Sequence, residues 1–283
     1  MSALDEENQL ARNEIRLAVI PAAGLGTRLA PATWALPKEL MPVGRYPMIQ
    51  WALEEVSDAG IGQVAVVVSP SKPLLIDFLS KWKRGRRLNL SLVEQPRAIG
   101  LADALLRVRH LSRGAPIALL LPDNIFFPYA RGRSALAQVL EGFRAGRGDT
   151  TGLVRVRKEY AHTWGHAGLV SLSQRGDRLA RIERLHPKRR GTLRLIKGVS
   201  AYKTFARTVL LPHFFDYLED ASKRRRGGDE VPALQAIIKH DGLSGVLLRG
   251  RGFDAGNPAG YGAAVAYWAT RPTEKGPQRC GPV

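Results

Sequence analysis

The fold follows from one stretch of the chain, Leu17-Ala-Val-Ile-Pro-Ala-Ala-Gly-Leu-Gly-Thr-Arg-Leu29. Its first four residues form a continuous apolar run, which is typical of a strand buried on both faces of a parallel sheet. Gly24 and Gly26 then let backbone N–H groups approach phosphate oxygens with no Cβ in the way. A nicotinamide fingerprint would need a third glycine in place of Leu29, and a P-loop would need Gly-Lys-Ser/Thr. The stretch therefore predicts a buried strand followed by a phosphate-binding loop of another kind.

Two cations support this interpretation of the loop, because a Gly-x-Gly sequence alone is often a plain turn. Arg28 lies inside the loop, and Lys38 follows it in the segment Pro37-Lys-Glu39. Both are suited to neutralise phosphate charge next to the backbone N–H groups of the loop.

Outward from this stretch, apolar runs alternate with helical patterns along the first half of the chain. Strands are predicted at 17–20, 64–68, 88–93 and 116–121, and helices at 46–60, 73–83 and 101–111. This alternation predicts an α/β fold with a mostly parallel, Rossmann-like sheet and helices on both faces. The second half elaborates the same domain with shorter elements. Its predicted strands are 152–156, 167–171, 178–184, 208–211 and 244–248, and its predicted helices are 212–221, 231–240 and a closing helix that ends at 270.

Length and composition limit the classes of protein to which the chain can belong. The 283 residues, of which 45% are hydrophobic, can bury a substantial core. We expect an N-terminal extension at 1–14, a single domain at 15–270 and a C-terminal tail at 271–283. No apolar stretch reaches the roughly 18 residues of a membrane span, and no secretory signal is present, so a cytoplasmic protein without a membrane partner is expected. Cys280, the one cysteine, rules out an intrachain disulfide and a cysteine-based zinc site.

The charge balance is strongly basic, with 43 Lys and Arg against 25 Asp and Glu and a formal net charge of +18. Such a balance suggests polyanionic partners: nucleic acid, a membrane surface or phosphorylated small molecules. The basic residues cluster at 81–87, 131–133, 187–190 and 223–226, where solvated surface charge is the ordinary interpretation. Of the aromatic side chains, only Trp82 lies inside one of these clusters, so nucleic acid is not the expected partner.

The longest specific motif extends the opening stretch through Pro37-Lys-Glu-Leu-Met-Pro-Val43 and Pro47-Met-Ile-Gln50. These residues resemble the opening of the sugar-1-phosphate nucleotidyltransferase family, and in particular its bacterial UTP–glucose-1-phosphate uridylyltransferases. Later landmarks follow in the family's order, including Leu121-Pro-Asp123 and Phe253-Asp-Ala-Gly-Asn-Pro258. The resemblance spans about 17–268. It implies transfer of a uridylyl group from UTP to glucose 1-phosphate, with Mg²⁺ as cofactor, in a homodimer or homotetramer.

The resemblance also implies roles for individual residues. Arg28 and Lys38 would neutralise phosphate charge on the leaving pyrophosphate, Arg184 would do so on the sugar phosphate, and Asp123 and Asp254 would hold the metal. Gly168 and Glu183 would contact the sugar. The nucleotide would be held by Ala22, Ala23, Gly24, Gly26, Thr27, Gln95 and Gly100.

Several positions depart from the family pattern, mostly on the sugar-phosphate side. The family's lysine is Arg184, which keeps the charge but not the shape of an ammonium group. The others are Leu185 for proline, Ala102 for glycine, Asn124 and Asn257 for aspartate, and an altered segment at 228–235. These departures leave two alternatives open: transfer from dTTP or to another sugar 1-phosphate, and a non-catalytic descendant that binds nucleotide or another polyanion.

Overall fold

The computed structural model describes residues 14–82, 88–129, 132–146, 148–173, 176–187, 191–196, 200–224 and 228–271. The strands of this part are β1 (Leu17–Pro21), β2 (Pro42–Val43), β3 (Tyr46–Pro47), β4 (Gln63–Val68), β5 (Asn89–Glu94), β6 (Ile117–Leu120), β7 (Asn124–Pro128), β8 (Thr150–Val156), β9 (Leu169–Ser173), β10 (Leu179–Leu185), β11 (Ala201–Leu210), β12 (Leu243–Leu247) and β13 (Gly250–Asp254). Apart from residues 14 and 271, the predicted N-terminal extension and C-terminal tail lie outside the described residues, as do 83–87, 131, 188–190 and 225–226 of the four basic clusters.

Helices separate most of these strands. They are α1 (Ala32–Ala35), α2 (Met48–Asp58), α3 (Pro73–Trp82), α4 (Leu101–Leu106), α5 (Arg109–Ser112), α6 (Ala135–Gly146), α7 (His213–Arg224), α8 (Val231–His240) and α9 (Pro258–Thr270), with 3-10 turns at Thr27–Leu29, Lys38–Leu40 and Lys158–Thr163. The single helix predicted at 101–111 is wrong, because the chain breaks into α4 and α5 around Val108. Among the described residues, no helix combines the length and the apolar character needed to cross a bilayer.

Nine of the described strands form one sheet in the order β5-β4-β1-β6-β11-β8-β12-β10-β9. The strands β5, β4, β1 and β6 are mutually parallel, as predicted for the first half. The prediction of a mostly parallel sheet is wrong for the second half, where β11 runs antiparallel to both β6 and β8. β10 is likewise antiparallel to both β12 and β9. An apolar run identifies a buried strand but carries no information about its direction, so the sheet is mixed.

Strand β11 is much longer than the predicted strand at 208–211. It begins at Ala201, and the seven residues before the predicted start include the charged side chains of Lys203 and Arg207, which interrupt the apolar pattern on which the prediction depended. Both side chains are nevertheless buried. Their partners lie elsewhere in the sequence, so this part of the strand has no local signature.

The central strand β1 packs against helices on both faces of the sheet. Leu17 and Val19 point to the core formed with α4, α7 and α8. Ala18 and Ile20 point to the opposite core, formed with α2, α3 and α6. Burying each large aliphatic side chain contributes about 1.5–3 kcal/mol, which explains why this strand has no polar residue. The predicted helices on both faces are confirmed.

A second, two-stranded sheet crosses the edge of the domain where the candidate site lies. β7 and β13 pair antiparallel, with Asn124 opposite Asp254. Phe127 and Phe253 pack beneath this pair against α9, with ring centroids 5.9 Å apart. Neither strand was predicted, although their pairing is what brings residues 123 and 254 to the same place.

Candidate active site

The glycine loop follows β1 across the carboxyl edge of the parallel strands. Ala22 N–H donates to the Val67 carbonyl at 2.7 Å, which keeps the loop attached to the sheet. Gly26 has φ +70°, a conformation that side-chain-bearing residues rarely adopt. The Thr33 hydroxyl donates to the Gly26 carbonyl at 3.1 Å. Ala22 and Ala23 are buried, whereas Gly24, Thr27 and Arg28 are exposed.

A buried ion pair that the sequence analysis missed supports this loop from below. Lys72 Nζ donates to the carbonyls of Ala22 at 2.8 Å and Gly24 at 2.5 Å, and to Glu39 Oε2 at 2.8 Å. Burial lowers the pKa of Lys72, although the nearby Glu39 carboxylate opposes that effect. Burial likewise raises the pKa of Glu39 despite the charge of Lys72. Since Lys72 follows the carboxyl end of β4, where ligand sites of α/β folds lie, its position was the available signal.

Three of the predicted residues, Arg28, Lys38 and Asp123, meet beside this loop. Lys38 Nζ lies 2.7 Å from Asp123 Oδ2. A Cβ added to Gly256 would lie 2.5 Å from Asp123 Oδ2 and 2.8 Å from the Arg28 guanidinium, which shows how closely these two groups approach. Burial would raise the pKa of Asp123, but the ion pair with Lys38 and the charge of Arg28 hold it below its usual value. The carboxylate is therefore ionised at neutral pH.

The turn that carries Asp123 is held by a fully buried arginine. Arg207 donates to the Leu121 carbonyl at 3.0 Å and to the Asn124 carbonyl at 2.9 Å. Its guanidinium is also paired with Glu55 at 2.6 Å. Glu55 in turn accepts the N–H of Leu136 at the start of α6 at 3.1 Å. This network fixes the turn after β6 relative to the helix layer, and the sequence analysis did not identify it.

Asp254 ends β13 and lies next to the Asp123 turn. Its Oδ1 accepts Gly256 N–H and its Oδ2 accepts Gly165 N–H, both at 3.3 Å. The N–H of Ala255 donates to the Asp123 carbonyl at 2.8 Å, which ties the two carboxylate-bearing segments together. The structure thus brings Arg28, Lys38, Asp123 and Asp254 to one edge of the domain.

The departure at Asn257 has a structural reason. Its side-chain oxygen accepts Gly260 N–H at 3.0 Å and caps the first turn of α9. Its amide nitrogen donates to the carbonyls of Asp254 at 2.9 Å and Thr163 at 3.2 Å. An aspartate carboxylate could form the cap but could not donate the other two hydrogen bonds.

On the predicted base side, Gln95 is 2% exposed at the end of β5. Its amide nitrogen donates to the Gly100 carbonyl at 3.0 Å and to Asp103 Oδ2 at 2.8 Å. Arg107 also pairs with Asp103 at 2.8 Å. Burial opposes ionisation of Asp103, but these hydrogen bonds leave its pKa below the usual value. The network holds the 95–103 loop and brings Gln95 and Gly100, the two residues predicted to contact the base, next to each other.

The residues predicted to contact the sugar and its phosphate lie on different strands. The Gly168 carbonyl accepts Thr204 N–H at 2.7 Å, which places Gly168 beside β11. Glu183 and Arg184 lie on β10 at an irregularity in its pairing with β9, and both are exposed. Within the part of the chain that the structure describes, neither of these two side chains makes an ion pair or a hydrogen bond with another side chain.

Lys203 is a further cation at the site, and the sequence analysis did not consider it. It extends from β11, is 2% exposed, and its Nζ donates to the Gly165 carbonyl and lies 5.2 Å from the centre of the Trp164 ring. Burial lowers the pKa of Lys203 to about 8, with the charge of Asp254 raising it and that of Arg28 lowering it further.

The two carboxylates fit a hard divalent cation. Among the described residues, no group of three or more His, Cys, Asp or Glu side chains could hold a metal by itself. Asp123 and Asp254 could hold Mg²⁺ only together with oxygens from water or substrate phosphates, which is the coordination that Mg²⁺ favours. Asp123 Oδ1 accepts only a long 3.5 Å bond from Asn124 among the hydrogen bonds of the described residues, so this oxygen is available for such a contact.

Comparison with known proteins agrees with this arrangement. Residues 17–235 match the family described as Nucleotidyl transferase. A UTP–glucose-1-phosphate uridylyltransferase of Bacillus subtilis (strain 168) is 28% identical, over 92% of this chain and 93% of the relative. A UTP–glucose-1-phosphate uridylyltransferase of Pseudomonas aeruginosa is also 28% identical, over 89% of this chain and 95% of the relative.

The fold is also similar to that of solved structures. A UDP-glucose pyrophosphorylase crystallised with UDP-glucose has a TM-score of 0.75 at 24% identity, covering 91% of this chain and all of that one. At this identity the likeness concerns the fold.

Proposed function

The chain belongs to the nucleotidyl transferase family and is a sugar-1-phosphate nucleotidyltransferase, and from this premise we propose that its substrates are UTP and glucose 1-phosphate. The reaction would give UDP-glucose and pyrophosphate. The observation that carries the proposal is the convergence of two carboxylates and two cations beside the glycine loop: Asp123 and Asp254 with Arg28 and Lys38. The uridylyltransferase relatives, matched over nearly their whole length, support the choice of this substrate pair.

The chemistry needs positioning rather than proton transfer. A phosphate oxygen of glucose 1-phosphate attacks the α-phosphorus of UTP, a new oxygen–phosphorus bond forms, and the bond to the β-phosphate breaks with loss of pyrophosphate. The nucleophile is already an anion, so no general base is required. The difficulty is that two polyanions must approach each other, and charge neutralisation lowers that barrier.

Different residues of the glycine loop and its neighbours would bind the nucleoside and neutralise the phosphate charge. The backbone of Ala22, Ala23 and Gly24 would hold the uracil and ribose, and Gly26, Thr27 and Arg28 would surround the triphosphate. Lys38 would offset charge on the departing pyrophosphate together with Arg28. Mg²⁺ held by Asp123 and Asp254 would supply Lewis-acid neutralisation of phosphate charge. Because Lys38 now pairs with Asp123, its ammonium is already held at the edge where the phosphates would lie.

Recognition of the base and the sugar would fall to the flanking elements. Gln95 fixes the 95–103 loop through its hydrogen bond to Gly100, and this loop would present its backbone and the Gln95 carbonyl to the pyrimidine edge. Gly168 beside β11 and Glu183 on β10 would contact the hexose. These roles follow the family pattern carried over to the matching positions.

The experiment is a pyrophosphate-release assay with Mg²⁺. UTP, dTTP, ATP and GTP are each tested with glucose 1-phosphate and with other hexose 1-phosphates. We expect kcat/KM for UTP with glucose 1-phosphate to exceed that of every other pair at least tenfold. A higher value with dTTP or another sugar would keep the reaction and change the substrates. No release with any pair, from folded protein, would favour a non-catalytic nucleotide-binding descendant.

A further inference from the structure

Side chains on one face of β11 lie behind the candidate active site, from the turn that carries Asp123 to the neighbourhood of Asp254. Lys203, Phe205 and Arg207 alternate on this face, and Phe205 packs against Phe126 of β7 with ring centroids 5.7 Å apart. Arg207, at one end, holds the turn that carries Asp123. Lys203, two positions beyond Phe205 at the other end, lies beside Asp254. Since alternate residues of a strand share a face, the register of β11 places one buried cation at each of the two carboxylates.

The surroundings of Lys203 do not neutralise its charge. Its Nζ contacts a carbonyl and an aromatic ring, and no carboxylate among the described residues lies within 4 Å of it. An ammonium group buried without a directly paired anion is costly. Asp254 offsets part of this cost without a direct ion pair, and Arg28, a second cation, opposes that effect. A further anion in contact with Lys203 would therefore be stabilised.

Arg184, the residue that the family pattern assigns to the sugar phosphate, has a different environment. It is exposed on β10, at an irregularity of the β10–β9 pairing opposite Ser171. No described carboxylate or other side chain fixes its guanidinium. A long exposed side chain without such contacts loses more conformational entropy when it holds a ligand than a buried lysine whose position is already set.

We propose that Lys203, and not Arg184, is the cation that contacts the phosphate of the sugar 1-phosphate. This inference rests on the proposed function and assigns one contact within it. The ammonium of Lys203 would leave or share the Gly165 carbonyl and donate to a phosphate oxygen next to Asp254. An ammonium is the point-charge donor that the family pattern places on this phosphate, and β11 supplies it from a different strand.

The test compares three single variants in steady-state kinetics. Lys203→Met removes the charge and keeps an apolar side chain against Trp164. Arg184→Met removes the charge from the exposed position on β10. Lys239→Met is the matched control on the exposed face of α8. We expect Lys203→Met to raise KM for glucose 1-phosphate at least tenfold and to leave KM for UTP within twofold. Arg184→Met is expected to change KM for glucose 1-phosphate less than threefold. Lys203→Gln provides a second neutral variant in case methionine disturbs the packing.

A binding measurement keeps this inference separate from the proposed function. The melting temperature of each variant is compared with and without saturating glucose 1-phosphate, and again with inorganic phosphate. A shift present in wild type and Arg184→Met but absent in Lys203→Met supports the contact, even if no nucleotide pair is turned over and the proposed function fails. The inference is overturned if Arg184→Met alone loses sugar-phosphate affinity, if Lys203→Met raises both KM values equally, or if wild type shows no shift with either anion.

Discussion

Arg207 donates hydrogen bonds to the backbone carbonyls on both sides of Asp123, those of Leu121 at 3.0 Å and Asn124 at 2.9 Å, without contacting the Asp123 side chain. The direction in which the carboxylate points is therefore set by a side chain from an antiparallel strand. The paired Glu55, on α2, holds Arg207 in turn. Precise placement of a metal-binding or charge-bearing group depends on such supporting contacts.

Glu55→Gln tests this support. Removing one charge of a buried ion pair leaves the fully buried Arg207 uncompensated, and we expect a loss of about 3–5 kcal/mol in the free energy of unfolding. Activity should also fall, because the turn that carries Asp123 is no longer held. Urea unfolding and pyrophosphate release measure the two effects. Asp216→Asn is the control: it breaks the exposed pair with Arg109, and a change of less than about 1 kcal/mol is expected. Equal stability of Glu55→Gln and wild type would contradict the interpretation.

Asp123→Asn tests the charge of the carboxylate itself. The two side chains have the same shape, so the turn held by Arg207 should remain in place, whereas the anion that pairs with Lys38 and would hold Mg²⁺ is lost. We expect kcat to fall by about 10²–10³, the scale seen when one preorganised electrostatic group is removed. Circular dichroism establishes that the variant is folded, and Asp77→Asn on the exposed face of α3 serves as the matched substitution. Turnover within threefold of wild type would remove Asp123 from the mechanism.

The residues that gather beside the glycine loop were easier to identify from the sequence than those that hold them in place. Arg28, Lys38, Asp123 and Asp254 occur in motifs with recognisable local patterns, and the structure brings them together. Lys72 and Arg207 were missed because a buried charge can be interpreted only with its partner. Those partners, Glu39 and Glu55, are 33 and 152 positions away in the sequence.

The absence of a local sequence signal also explains why the second half of the sheet was predicted wrongly. The parallel half was predicted because each strand is followed by a helix of ordinary pattern. In the second half, Lys203 and Arg207 made the first part of β11 look polar. β13 contains two glycines and two charged residues, and the apolar run of β7 is only three residues long, between Asn124 and Pro128. Their pairing, which places Asn124 opposite Asp254, is a tertiary contact with no local signal.

Asn257→Asp would restore the residue expected from the family pattern, and we nevertheless expect it to be harmful. The carboxylate keeps the cap on Gly260 N–H, but it replaces two donated hydrogen bonds with repulsion from the carbonyls of Thr163 and Asp254. The expected loss is about 1–3 kcal/mol in the free energy of unfolding, measured by urea denaturation. Asn89→Asp, at the exposed start of β5, is the matched change and should have little effect. A stabilised Asn257→Asp variant would show that this amide is not needed as a donor.

Lys203→Met should change stability in a pH-dependent way, because burial lowers the pKa of this lysine in the folded protein. The pKa of Lys203 falls from 10.5 in the unfolded chain to about 8 in the folded protein, so the unfolded state binds more protons between these values. The stability of wild type relative to Lys203→Met must then rise as the pH increases from 8 to 10.5, and below pH 8 the charged lysine opposes folding in full. After allowance for the lost hydrogen bond to Gly165, we expect the ligand-free variant to be more stable than wild type by roughly 1–3 kcal/mol at pH 7, with the advantage declining above pH 8. Urea unfolding at pH 7 and pH 9.5 measures the difference in stability between the variant and wild type at each pH, with Lys239→Met as the control.

A Lys203→Met protein that gains stability while losing affinity for glucose 1-phosphate is the expected result for a charge that is retained for binding. A Lys203→Met protein that is less stable than wild type at both pH values would instead assign this lysine to the support of Gly165.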